Sequence, residues 1–324
     1  MQIENIILDT DMDTDCDDAG ALAILHNFAK HGKVSIRGII CSSPTLWSCS
    51  FVQAVNQSAN PFKPIPVGGN YAQEFGLDYF HSRQKCIEQA LLYCETVSRQ
   101  LNIIPNKNFF PEDSLILYRK LLANAEDKSI TICAVGLLSA LASLLNSGPC
   151  NYSKLPGKEL ISKKVKKLVT MGNGIFPTGK DLFNWAMDRQ SAALVFSHWP
   201  THLTISALGN SVFSGNRLLN KLPNSNPVKQ AFQIFGKYKT GFKRPSWDQI
   251  AVMSASGLYG DLFEEIPGGT IKYDAASGIH NWENNFSLCK HFYLRQLKTD
   301  KEIEEIIEYN MQEAFVENAS LLQR

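Results

Sequence analysis

The sequence predicts an α/β protein: an open, mostly parallel sheet with helices on both faces. Two observations carry this. Short apolar runs rich in β-branched residues alternate with longer segments of helical spacing, the pattern of strand–helix units in a parallel sheet. The composition is that of a globular chain: 324 residues, 44% apolar and 19% charged, enough to bury a large core and unlike a disordered chain.

The elements follow in order. Ile3–Leu8 (IENIIL) reads as a buried strand. Ala19–Lys30 has helical spacing and good helix formers, with Asp17 and Asp18 at its start. Val34–Cys41 (VSIRGIIC) is the second strand, Ser48–Asn60 the second helix, and Pro61–Gly69 a connection. Ser129–Val135 (SITICAV) is a strand, followed by Gly136 and a helix over Leu138–Asn146. Val165–Met171 is a strand ending in Gly172-Asn173-Gly174, and Leu203–Ala207 is another. The polar, basic stretch Pro149–Lys167 reads as an exposed loop and is the one signal of a domain boundary; residues 1–324 read as a single domain.

Charge and cysteine usage bound the function. Lys+Arg is 32 against Asp+Glu 31, a net of +1, so there is no global field for a nucleic-acid polymer or an anionic membrane. No apolar run is long enough to span a bilayer, and the start MQIENIILDTD shows no basic segment followed by a long apolar one, so the expectation is a cytoplasmic protein. Eight cysteines with irregular spacing and no CxxC pair read as free thiols in a reducing compartment and argue against a zinc site.

In open parallel sheets the ligand crevice lies beyond the carboxyl ends of the strands. The segments after Leu8, Cys41, Val135, Met171 and Ala207 are therefore expected to line it. Directly after the first strand comes DTDMDTDCDD, with Asp9, Asp11, Asp13, Asp15, Asp17 and Asp18: six carboxylates within ten residues. Held together they repel unless a cation or protons neutralise them. A solvated acidic turn capping a helix accounts for Asp17 and Asp18, but not for four more at a strand end. An all-oxygen ligand set with no nearby His or Cys pair suits Ca²⁺ or Mg²⁺. It is not an EF-hand loop: counted from Asp9, the sixth position is Thr14 rather than Gly and the twelfth is Gly20 rather than Glu. Asp9-Thr-Asp11 also fits the outline of a Mg²⁺-dependent phosphatase with Asp9 or Asp11 as nucleophile. Near the other end, Asp248 in RPSWDQIAV precedes an apolar helical pattern; it reads either as a helix cap or as a ligand.

Four segments together resemble the nucleoside hydrolase family, the inosine–uridine type that cleaves N-glycosidic bonds of ribonucleosides. DTDMDTDCDDAGAL looks like its N-terminal aspartate motif in a longer-loop form, ICAVGLLSAL like its central strand–Gly–helix segment, FPTGKDLFNWAMD like its ribose-binding loop, and RPSWDQIAV like its C-terminal aspartate motif. SGIHNWENNFSLCKHFYL is similar to its closing segment. The resemblance implies a Rossmann-like sheet of the nucleoside hydrolase type and one Ca²⁺. It implies that Asp11 binds Ca²⁺ and acts as general base on the attacking water, that Asp18 is a bidentate ligand, and that Asp248 and the Val135 carbonyl complete the shell. Asp17 and Asn184 would contact the ribose. Ser42 or Ser43 replaces the usual Asn after the second strand; Leu182 stands where a Glu is usual, with Asp181 beside it as a substitute; Asn173 joins the expected substrate contacts. The stretch Ser206-Ala-Leu-Gly-Asn210 lacks the usual Glu, and Ala140 replaces an Asn.

Trp247 stands where some members carry His. It cannot donate a proton but can stack on a purine, a lean toward purine nucleosides; as a core aromatic it would do neither. His26 and His31 read as surface groups, and His280 or His291 as residues near the pocket. The expected activity is hydrolysis of a small-molecule nucleoside to ribose and free base. The rivals are a catalytically silent nucleoside- or partner-binding homologue and the phosphatase. Family analogy implies a homodimer or homotetramer.

Overall fold

A computed structural model describes residues 3–60, 62–70, 84–172, 176–284 and 291–316. The strands are β1 (Glu4–Thr10), β2 (Val34–Cys41), β3 (Val67–Gly69), β4 (Glu112–Asp113), β5 (Ile130–Ala134), β6 (Val165–Met171), β7 (Thr178–Lys180), β8 (His202–Ser206), β9 (Phe213–Ser214), β10 (Arg244–Pro245), β11 (Phe263–Tyr273), β12 (Ile279–Asn284) and β13 (His291–Gln296). Eleven of them form one sheet in the order β4-β3-β2-β1-β5-β6-β8-β13-β11-β12-β7, and β9 pairs with β10 apart from it. Pairings from β4 through β13 are parallel. From β13 to β7 they are antiparallel.

Helices α1 (Asp17–Lys30), α2 (Leu46–Ala59), α3 (Ser139–Asn146), α4 (Gly157–Lys164), α5 (Asn184–Met187), α6 (Arg189–His198), α7 (Pro227–Phe235), α8 (Trp247–Ser256) and α9 (Asp300–Glu313) flank the sheet. The central strands show both faces covered. Ile6 and Leu8 of β1 enter a core built with α1, α2, α7, α8 and α9. Ile7, pointing the other way, enters a second core built with α3, α4 and α6. A strand buried on both faces reads as a near-continuous apolar run, which is why Ile6–Leu8 of β1 and the whole of β5 were visible in the sequence.

Several expectations are corrected. The connection Pro61–Gly69 ends in β3, which pairs with β2 through three residues. The stretch read as a loop, Pro149–Lys167, contains α4 and enters β6 in the middle of the sheet. Its basic exposed face hid a helix that buries only Gly157, Leu160 and Ile161. His26 is buried, not a surface group: its Nε2 lies 2.8 Å from Asn56 Oδ1, and burial pushes its pKa down to about 4. His31 is exposed, as expected. Seven cysteines are free thiols; Cys289 lies outside the described residues. No described helix is long and apolar enough to cross a membrane.

Candidate active site

β1 and β5 end side by side, and the chain leaving β1 must turn over Gly136. A Cβ on Gly136 would stand 2.4 Å from the backbone N of Asp11, so only glycine lets the acidic loop lie this close to the sheet. The loop then bends through Asp13 at φ +129°. Asp13 Oδ1 accepts from the Cys94 N–H at 3.2 Å, and Tyr93 Oη donates to the Asp15 carbonyl at 2.7 Å. Beyond it α1 begins, with Asp17 and Asp18 in its first turn. α1 packs against α8, whose first turn carries Asp248. Two helix N-termini thus converge, which favours negative charge between them.

The result is a cavity of about 330 Å³. Its acidic wall is Asp11, Asp15, Asp17, Asp18 and Asp248; Val135, Met171, Leu182, Phe183, Asn184, Phe235, Arg244 and Trp247 complete most of the lining. One oxygen from each of Asp17, Asp18 and Asp248 lies within 4.8 Å of the others. These three and Asp11 are all at least 97% buried. Burial, and then the neighbouring carboxylates, push all four well above the ordinary carboxylate range: Asp17 acts on Asp11 and Asp248, Asp15 on Asp17, and Asp11 on Asp18. Asp11 Oδ2 and Asp248 Oδ1 have no hydrogen-bond partner among the described residues, although such buried atoms are almost always paired. Orphaned oxygens, mutual repulsion and an all-oxygen donor set fit a hard divalent cation.

The six loop carboxylates are sorted by their partners. Asp9 Oδ2 accepts from Tyr118 Oη at 2.7 Å; Asp9 is fully buried outside the cavity, and burial raises its pKa to about 7. Asp13 is tied to Cys94. Asp15 forms a two-pronged ion pair with Arg244, whose Nε lies 2.8 and 3.0 Å from the two carboxylate oxygens. Asp18 additionally accepts from Thr10 Oγ1. Arg244 lies 5.1 Å from the centre of the Phe235 ring and 5.2 Å from that of Trp247, a cation between two aromatic faces. Trp247 is fixed further by its Nε1 donating to Asn210 Oδ1 at 2.7 Å.

The fold is that of known structures. An inosine–uridine-preferring nucleoside hydrolase from Bacillus anthracis superimposes with a TM-score of 0.64 at 15% identity, covering 96% of this chain and all of that one. A purine-preferring ribonucleoside hydrolase from Gardnerella vaginalis does so with 0.65 at 14% identity, covering 97% of this chain and 100% of its own. The chain has the nucleoside hydrolase fold. A type III effector protein, XopQ, solved with adenosine diphosphate ribose, shares it with a TM-score of 0.71 at 12% identity over 98% of this chain and 96% of that one. No family model and no curated protein matches the sequence.

On this nucleoside hydrolase fold the residues singled out in the sequence divide into two groups. Asp11, Asp17, Asp18, Val135, Asn184, Trp247 and Asp248 meet in the cavity. The Val135 carbonyl accepts from Asn184 Nδ2 at 2.6 Å. Asp181 and Ser43 do not line it. Asp181 Oδ2 instead caps α5, accepting from the N–H groups of Trp185 at 2.6 Å and of Phe183 and Ala186 at 3.3 Å. Ser43 Oγ donates to Ser48 Oγ at 2.9 Å. Asn173 lies outside the described residues. His280 and His291 are buried away from this cavity. The phosphatase outline loses Asp9, which is closed off behind Tyr118. Sequence reasoning missed Arg244 and Phe235. Arg244 opens the RPSWD motif, and an Arg three residues before the Trp was a signal; Phe235 carried none.

Proposed function

We propose that the chain is a metal-dependent N-ribohydrolase that converts a ribonucleoside to ribose and free base. The observation that supports this most is the convergence of Asp11, Asp17 and Asp18 with Asp248, about 230 residues away, in one small-molecule cavity edged by Trp247. Asp17, Asp18 and Asp248 would hold Ca²⁺, with Asp11 and the Val135 carbonyl at its edge. When bound, such a cation supplies a Lewis acid that fixes the ribose diol and acidifies water.

The remaining chemistry belongs to the chain. Asp11, buried and crowded by Asp17, is a strong proton acceptor once ionised; it takes a proton from the water that attacks C1′. As the C1′–N bond breaks, the base leaves with the bonding electrons and takes a proton from solvent, Asp11 returning its own to solvent after the step, and the acidic wall stabilises the positive charge on the sugar. Asn184 uses its Nδ2 on Val135, so its Oδ1 serves to accept from a ribose hydroxyl. Trp247, pinned by Asn210 and Arg244, offers a fixed aromatic surface for the base and favours purines.

A second reading has its own support: the same cavity binds its ligand without turnover. Asp181 is spent on capping α5, and one protein of this fold was solved in complex with adenosine diphosphate ribose. Chromatographic measurement of base release from a panel of ribonucleosides, with Ca²⁺ and with EDTA, separates the two. We expect release that EDTA abolishes, and in Asp11→Ala a loss of about 10²–10⁴-fold with the thermal melt retained. Cation binding with no release from any nucleoside establishes the silent binder; full activity of Asp11→Ala removes Asp11 from the mechanism.

A further inference from the structure

The carboxylate floor of the cavity meets a largely apolar wall, and we infer that the ligand is a ribonucleoside with an apolar 5′ substituent, such as an alkylthio group, received by Met171, Leu182 and Phe183. The inference rests on the ribose-binding reading of the floor and names the substrate class. Outside the acidic loop and the stretch from Phe235 to Asp248, the described lining is Cys86, Val135, Met171, Leu182, Phe183 and Asn184. Four of these six lie between the end of β6 and the first residue of α5.

A single exposed leucine ordinarily needs no explanation. Leu182 differs in its surroundings. It is 64% exposed, and of the large exposed apolar side chains among the described residues it is the one that lines the cavity. Phe183 beside it packs on Leu137 and Met187, which gives the wall a fixed apolar backing. The polar groups of this segment are spent on one another. Asp181 is fully buried, and its Oδ2 accepts from the N–H groups of Phe183, Trp185 and Ala186. An acid that could accept from a 5′-hydroxyl and backbone donors that could hold a 5′-phosphate thus satisfy each other. Asn184 Nδ2 donates to the Val135 carbonyl at 2.6 Å and lies 3.3 Å from Met171 Sδ. Its Oδ1 is the side-chain acceptor left on the segment, and the ribose diol claims it.

A bound ribose has two ends. With its C2′–C3′ diol on the floor and its base on Trp247, C4′ carries the 5′ carbon away from the base and toward the wall that remains. A hydroxyl there exchanges water for Met171, Leu182 and Phe183 and finds no partner, which weakens binding. An alkylthio group there takes its own surface and that of Leu182 out of water and sets a polarizable sulfur near the Phe183 ring, which strengthens binding. Discrimination by a small apolar group in an apolar pocket is worth about tenfold or more.

The test is calorimetric titration of the Ca²⁺-loaded protein with two C-nucleosides that cannot be cleaved, 9-deazaadenosine and its 5′-deoxy-5′-methylthio derivative. Release of adenine from adenosine and from 5′-methylthioadenosine is followed in parallel. We expect the methylthio C-nucleoside to bind about tenfold more tightly than 9-deazaadenosine. In Leu182→Gln, which sets a hydrogen-bonding group at the mouth without adding charge, the preference falls to about one or reverses; Leu297→Gln, at an exposed leucine outside the cavity, retains it. Equal or tighter binding of 9-deazaadenosine, or a preference that Leu182→Gln leaves intact, overturns the inference; so does the binding of neither ligand. Adenine release from adenosine without a methylthio preference leaves the ribohydrolase reading standing and removes this one. Preferential binding of the methylthio ligand, with no base release from either nucleoside, does the reverse.

Discussion

Arg244 shows how one side chain divides a crowd of like charges. By engaging Asp15 with two prongs it offsets part of the repulsion that Asp15 exerts on Asp17, and its own flat cation settles between Phe235 and Trp247. Burial lowers the Arg244 pKa, but Asp15 and Asp17 more than reverse this, so the charge is secure at any ordinary pH. The Trp247 ring held this way is expected to assist purines specifically. In Trp247→Ala, kcat/KM for inosine should fall about fivefold more than for uridine, since aromatic contact is worth about 1 kcal/mol; equal losses would assign Trp247 to packing. His26 offers a second residue-scale test, in stability. Its folded pKa is about 4 against an ordinary 6.5, so the unfolded chain takes up a proton first as pH falls. Stability conferred by the neutral ring is therefore present above pH 6.5 and is lost as pH drops toward 4, by up to about 3 kcal/mol. Urea unfolding at pH 7.5 and 5.0 should show this loss in the parent and a smaller one in His26→Gln; identical pH slopes would show that His26 titrates normally.

At the scale of elements, the site depends on where two helices start. α1 and α8 present their first turns to each other, and the N-terminal dipoles lessen the cost of holding Asp17, Asp18 and Asp248 together. The short α5 carries Asn184 into the same cavity, and the buried Asp181 carboxylate accepts three of its N-terminal N–H groups. Asp181→Ala should cost about 1–2 kcal/mol in urea unfolding through the lost cap. It should also weaken ligand binding, because Asn184 loses its anchor; a variant with unchanged unfolding and unchanged binding would show that α5 is held by Trp185 packing alone.

For the whole molecule, the proposed cation site ties stability to the carboxylate floor. Asp11, Asp17, Asp18 and Asp248 have folded pKa values above the ordinary 3.8, so without a cation the fold retains protons that the unfolded chain has released. That contribution is present at low pH and is lost as pH rises above the ordinary carboxylate range. A cation takes the place of the protons and cancels the loss. At pH 7.5, Ca²⁺ at about 100 times its Kd should stabilise the protein by about 3 kcal/mol, seen as a raised Tm that EDTA reverses. A melt indifferent to Ca²⁺ and EDTA between pH 5 and 8 would show that the floor holds no cation.

The sequence by itself determined the central sheet and the positions of the acidic groups. β2 and β6 were legible to the residue because their β-branched and apolar residues form a buried run toward the carboxyl end, and the polar Arg37 and Lys166 fall only near the start. The antiparallel strands β11 and β12 were not, since their half-exposed faces mix Lys272, Glu283 and Asn281 with apolar residues and blur any period. Only the tertiary structure decided which carboxylates share a cavity. Six aspartates in a row are chemically equivalent until partners distinguish them, and those partners, Tyr118, Cys94 and Arg244, come from segments far away in the chain. The same reason hid the role of Asp181: a carboxylate beside a sugar and a carboxylate capping a helix are the same residue in a sequence, and only the direction of the backbone N–H groups around it separates them.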